Sequence, residues 1–183
     1  MWLTGWSGTG KSLTLNLLQD FLSNSNVLQW HPSFLSVEKD LEEFARNQVS
    51  LLSPCLKNIL IVDSWDDGSS RIIDAIREMI EGINTARDSF HLKKDYKLLV
   101  ILSGSAGSKN INTEFLKLKL QGGARAEVSL ETLTASLRTS QEYSAVSSLG
   151  NGNVTIVPFL PLERLQVMTI LSCSISYNFM SRL

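Results

Sequence analysis

Short apolar runs alternate along this chain with longer amphipathic segments, the layout of a parallel sheet covered by helices. Leu13, Leu15, Leu17, Leu18 and Phe21 fall in one predicted helix from about Lys11 to Leu22, which Ser23-Asn24-Ser25-Asn26 ends. Val27-Leu28-Gln29-Trp30 reads as a short strand closed by His31-Pro32. Val37, Leu41, Phe44, Ala45, Val49 and Leu52 then recur at helical spacing, with Ser36 as a cap. Asn58 to Asp63 is a near-continuous aliphatic strand that ends in an acid. A further helix carries Ile72, Ile73, Ile76, Met79, Ile80 and Ile83 on one face, and residues 84–96 read as a polar connection. Lys97 to Ser103 is the next strand. Helices are expected over 111–120 and 128–144, a Ser/Gly/Asn loop over 145–153, a last strand at Val154–Val157 and a closing helix from about Leu162 to Met180.

Candidate chemistry sits at the front of this pattern. Gly5-Trp6-Ser7-Gly8-Thr9-Gly10-Lys11-Ser12 fills every position of a Walker A loop, and each position has a physical task. Glycines let the backbone turn so that successive N–H groups point at a phosphate chain. Lys11 reaches the β- and γ-phosphates, and the Ser12 hydroxyl is a ligand for Mg²⁺. The helix that starts near Lys11 aims its positive end at the same anion. The pattern thus implies nucleotide binding, with Mg²⁺ beside the phosphates.

Asp63 has the context of a Walker B aspartate, an acid at the tip of a buried strand, and would hold Mg²⁺ opposite Ser12. Ser103 and Ser105, after the following strand, are both candidates to orient water near the γ-phosphate. The weak point is Ser64. ATPases of this kind commonly place a glutamate directly after the Walker B aspartate, and a serine without a proton acceptor is no general base. Asp66 and Asp67 lie two or three residues too far along, and a misplacement of about 1 Å already costs roughly 10²-fold. The residues support binding more strongly than turnover.

Composition narrows the class. At 183 residues with 43% hydrophobic and 19% charged positions, the chain has enough apolar material for one buried core. A net charge of -1 gives no basic footprint for nucleic acid. No apolar run reaches the roughly 18 residues that span a bilayer. Cys55 and Cys173 fit neither a metal pattern nor a disulfide framework and read as core-filling residues. Only Met1-Trp2-Leu3-Thr4 precede the Walker loop, fewer than the roughly five or six residues of a usual strand. Either that strand is unusually short or the chain is an N-terminally shortened piece of a longer protein, and the second is the expectation here.

Nearly the whole chain resembles the torsins, AAA+ proteins of the endoplasmic reticulum lumen and nuclear envelope. Gly5 to Lys11 is close to the torsin Gly-Trp-Thr-Gly-Thr-Gly-Lys. His31-Pro32 with Lys39-Asp40-Leu41, and Ile73-Asp74-Ala75-Ile76, are similar to torsin segments. Val157-Pro158-Phe159-Leu160-Pro161-Leu162-Glu163 is almost identical to a torsin block and is the most distinctive match. Ser105-Ala106-Gly107 falls where torsins have Asn-Ala-Gly, which carries the sensor 1 role onto Ser105. The resemblance implies a three-layer α/β P-loop NTPase. Its AAA+ nucleotide-binding subdomain would cover residues 1–161, and 162–183 would begin a small helical lid that is otherwise missing. Asp63 and Ser105 would be the catalytic positions, Gly5 to Ser12 would bind ATP, and Ser12 with Asp63 would hold the metal.

It also implies partners. Torsins lack their own arginine finger and work as half of a mixed ring, with a membrane-anchored activator supplying the arginine. The nucleotide edge and the helix after Leu162 would then form the partner surface. Arg125, in a Gly-rich turn near where AAA+ neighbours approach a phosphate, reads more readily as a solvated surface charge. Departures are clear too. Torsins usually have Asn where this chain has Ser12, Asp-Glu where it has Asp63-Ser64, and a Gly-Cys-Lys element with no counterpart here. Three readings are weighed: a torsin-like ATPase dependent on a partner, a nucleotide-binding pseudoenzyme that shapes an interface, and a small P-loop kinase or GTPase, for which the sequence has neither an acceptor site with lid arginines nor an Asn-Lys-x-Asp motif.

Overall fold

A computed structural model describes residues 1–22, 25–31, 47, 57–65, 70–89, 98–150 and 153–170. Five strands form one sheet: β1 (Trp2–Gly5), β2 (Asn26–Trp30), β3 (Asn58–Val62), β4 (Leu98–Gly104) and β5 (Ile156–Phe159). Their order is β2-β3-β4-β1-β5 and every pairing is parallel. β4 therefore lies between the strand that feeds the Walker loop and the strand that ends in Asp63. The first strand is short, at four residues, yet wholly buried, because it is paired on both sides. Pro158 is tolerated in β5 because, among the described residues, that strand is an edge and pairs with β1 alone.

Alternation along the strands divides the core into two layers. Leu3, Ile59, Ile61 and Ile101 face α1 (Lys11–Phe21) and close on Leu15. Trp2, Leu60, Val62 and Leu102 face the opposite way. That side is covered by α2 (Ser70–Ser89), α3 (Ser108–Leu120), α4 (Leu130–Arg138) and α5 (Gln141–Leu149). The result is the expected three-layer α/β fold. Right-handed crossovers account for the split: β1 to β2 runs one way across the sheet, whereas β3 to β4 and β4 to β5 run the other. On α1 only Leu15 of the apolar run is buried with the core, whereas Leu13, Leu17 and Phe21 are exposed one turn apart.

Several predicted boundaries move. α2 continues to Ser89, and so takes in residues 84–89 of the stretch read as a polar connection over 84–96. The single helix expected over 128–144 is two helices, because Ser140 leaves the helical conformation and its Oγ accepts the Tyr143 N–H at 3.1 Å. The expected loop at 145–149 is the rest of α5. Its serines are satisfied inside the helix, Ser147 and Ser148 Oγ donating to the carbonyls of Ser144 and Ala145. The last strand starts and ends two residues later than expected. Residues 164–170 are helical, in line with the start of the closing helix. Of the helix expected over Val37–Leu52 only Asn47 is described, and it is helical, while Cys55 and Cys173 lie outside the described residues.

Candidate functional site

All the sequence-predicted site residues come to the carboxyl ends of the central strands, where a parallel sheet opens its crevice. β1 runs directly into the loop. Gly8 and Gly10 adopt φ of 78° and 97°, left-handed conformations that side chains rarely take, so the turn requires glycine at both. Gly10 is also the N-cap of α1, which has neither a side-chain cap nor an acid in its first turn. Its leading N–H groups therefore open into the loop with no side-chain cap on them, the arrangement that favours an anion.

Lys11 is only 8% exposed and is folded back over the loop. Its Nζ donates to the carbonyl oxygens of Gly5 and Trp6, each at 2.7 Å. The cation thus sits inside the turn that the glycines make. One residue on, Ser12 Oγ donates to Asp63 Oδ2 at 3.2 Å, although the two are 51 positions apart in sequence. Asp63 is anchored on all sides. Its N–H donates to the Trp30 carbonyl at 2.9 Å, and its Oδ1 accepts the Ser64 N–H at 3.0 Å.

The Ser12 and Asp63 oxygens suit Mg²⁺. Two cis ligands of an octahedral ion, each about 2.1 Å from it, lie about 3.0 Å apart, close to the separation found here. A hydroxyl and a carboxylate are the hard oxygen donors such an ion takes.

Ser64 has the one positive φ outside glycine among the described residues, at 69°. The reason is its successor. The chain turns sharply after Asp63 and crosses the end of β4, where the Trp65 N–H donates to the Ser103 carbonyl at 2.9 Å. Trp65 is wholly buried, its ring 6.1 Å from that of Trp2. Gly104 makes the crossing possible, since a Cβ there would come within 2.2 Å of the Trp65 carbonyl oxygen. Ser103 lies under this crossing, fully buried, with an Oγ that has no hydrogen-bond partner among the described residues. Of the two candidate serines it is the one that cannot face a phosphate. Ser105 is partly exposed beyond the strand end, one residue past the Thr4–Gly104 pair and so level with the first glycine of the loop. The adjacent turn is tied to β1 by Thr4 Oγ1, which donates to the Ala106 carbonyl.

Two features were missed by sequence reasoning. Arg125 is not a free surface charge: its guanidinium donates to the carbonyls of Pro161 and Leu160 and lies 6.0 Å from the Phe115 ring centroid. With the Lys119–Glu163 ion pair at 2.5 Å, it fastens the distinctive Val157–Glu163 block onto α3. The other is an apolar cavity of about 490 Å³ between the outer side of the Walker loop at Trp6 to Thr9, Phe115 and Leu116 of α3, and Leu162. Leu116 beside the solvated Lys117 gave no signal of it. Asp66 and Asp67 lie outside the described residues.

This sheet, with a Walker loop on one central strand and an acid closing on its serine from another, defines a three-layer α/β domain of the P-loop NTPase type. No family model matches the chain. Curated proteins do. Torsin-3A of Rattus norvegicus is 26% identical over 87% of this chain, and torsin-3A of Mus musculus and of Homo sapiens are each 24% identical over the same share. The chain is a divergent relative of the torsins, and its fold is of the AAA+ type. It spans less than half the length of the curated relatives it matches, 44% of the rat and human proteins and 45% of the mouse one.

Proposed function

We propose that this chain is the nucleotide-binding part of a torsin-like AAA+ protein that binds ATP with Mg²⁺. The observation that carries the reading is the contact between Ser12 and Asp63, which brings the two halves of a metal–phosphate site together across an intervening strand. Gly5 to Ser12 cradle the phosphates, Lys11 exchanges its two loop carbonyls for phosphate oxygens, and Ser12 and Asp63 hold the ion. Ser105 takes the position nearest the γ-phosphate. Residues 1–161 form the nucleotide-binding subdomain and 162–183 begin the lid. In this reading hydrolysis depends on a partner that supplies an arginine, in a mixed ring, and serves protein remodelling in the endoplasmic reticulum lumen and nuclear envelope. Location and partner rest on family resemblance. The exposure of Leu165, Met168 and Ile170 on the helix after Leu162 supports a protein contact there. No helix among the described residues is long and apolar enough to cross a membrane.

The test is calorimetry of the chain with ATP and Mg²⁺. Binding in the wild type and its loss in Lys11→Ala are expected, and a folded wild type that takes up no nucleotide would overturn the reading.

One observation favours the alternative of a nucleotide-binding pseudoenzyme. Ser64 has no carboxylate, and its left-handed backbone serves to bury Trp65. ATP occupancy would then set the shape of an interface without being consumed. Steady-state turnover with an activator present, at the rate of ordinary AAA+ enzymes, would refute that alternative. Turnover gained by Ser64→Glu in a silent protein would support it.

A further inference from the structure

His31 follows β2 directly, and its ring enters the same corner as the two metal-holding oxygens. Its Nδ1 lies 4.0 Å from Asp63 Oδ2, the oxygen that also accepts Ser12 Oγ at 3.2 Å. Hydroxyl, carboxylate and imidazole therefore meet around one atom. The placement is built in by the backbone: β2 and β3 pair in register from Asn26–Asn58 to Trp30–Val62, so His31 and Asp63 are the next residues on adjacent strands. The Asp63 N–H bond to the Trp30 carbonyl, at 2.9 Å, continues that ladder and sets the backbone of both residues at its end. The His31 side chain is 37% exposed and so reachable from the crevice, whereas the Asp63 side chain is 10% exposed.

The distances favour a shared ion. Ser12 Oγ and Asp63 Oδ2 match adjacent corners of an octahedron. The 4.0 Å between Nδ1 and Oδ2 lies between the separation of adjacent corners, about 3 Å, and that of opposite corners, about 4.3 Å. The nitrogen thus stands within about 1 Å of either corner. Mg²⁺ gains little from such a ligand, since it takes hard oxygens and keeps its waters. First-row transition ions gain more, because imidazole nitrogen is among their preferred donors.

Resting on the nucleotide reading above, we propose that His31 is a third protein donor to the cation between Ser12 and Asp63, so that this chain binds nucleotide with Co²⁺ in preference to Mg²⁺. His31 thereby acts as a specificity-determining residue for the metal, whether or not the nucleotide is hydrolysed.

The test uses the whole chain and a non-hydrolysable ATP analogue, with affinity measured by calorimetry in Co²⁺ and in Mg²⁺. Wild type should favour Co²⁺ by about tenfold, the loss typical when a metal-site partner is removed, and His31→Ala should bring the ratio near one. Pulsed electron paramagnetic resonance with Mn²⁺ and the analogue should show coupling to a ring nitrogen that disappears in His31→Ala. His31→Gln, closer in size, separates the donor effect from any loss of folding, and should also lack the nitrogen coupling. An unchanged metal ratio in both variants, or the same nitrogen signal in them, overturns the role of His31 and leaves nucleotide binding standing. Absence of analogue binding with either ion in folded wild type overturns the nucleotide reading, and this inference with it.

Discussion

The Trp65 carbonyl oxygen lies over Gly104 so closely that a single added carbon would approach it to 2.2 Å. This crossing places Trp65 in the core and turns the chain away immediately after Asp63. Gly104→Ala would force two backbones apart, not merely displace a flexible side chain. It should lower stability by about 3 kcal/mol, the upper part of the range for overpacking, as read from the midpoint of urea unfolding. A variant within about 0.5 kcal/mol of wild type would show that the crossing is loose.

Ser64 should discriminate among substitutions by backbone preference. At φ of 69° an Asn is expected to cost almost nothing, whereas β-branched Val should lose about 1–2 kcal/mol. Chemical denaturation of the two variants checks this. Equal stability would argue against the left-handed turn. The same strain bears on Ser64→Glu, whose activity should be compared with wild type only after its fold has been verified.

Lys11 has a second job in holding the loop. Its two hydrogen bonds to Gly5 and Trp6 are charge-assisted and mostly screened from water. Lys11→Met should therefore lower thermal stability even without nucleotide, by about 2 kcal/mol in free energy. A variant that loses nucleotide binding with an unchanged melting temperature would restrict the lysine to ligand contact.

Arg125→Ala should loosen the Leu160–Pro161 segment, cost about 1–2 kcal/mol, and speed amide exchange in residues 159–163. Arg125→Lys should recover only part of that, because an ammonium cannot reproduce the forked contact to two carbonyls. If both variants are as stable as wild type yet fail to support a neighbour's turnover, Arg125 acts across an interface.

The parts of the site legible in sequence were those carried by local pattern. The Walker loop needs glycines at fixed places, and the aliphatic strand ending in Asp63 needs burial, so both announce themselves. The helix division at Ser140 was hidden because serine can cap a helix or sit inside one, and both uses occur within nine residues. Leu13, Leu17 and Phe21 have the spacing of a buried face and yet are exposed, since periodicity reports that a face is apolar and not what covers it. Trp65, between Ser64 and Asp66, belongs to none of the apolar runs, although it is among the most buried residues. Its burial depends on a glycine in another strand, about forty positions away. Arg125 was misjudged for the same reason, because its partners are backbone carbonyls of a distant segment.

The position of β4 gives the sheet a mechanical property. The strands that carry the loop and Asp63 never touch, and β4 holds them about 9–10 Å apart, two strand spacings. Ser12 spans that gap only because α1 leans over the end of the spacer. Any force that tilts β4 opens or narrows the jaws on either side, as the beam of a caliper does. A protein gripping the Ser105 turn would thus alter the Ser12–Asp63 separation without touching either residue.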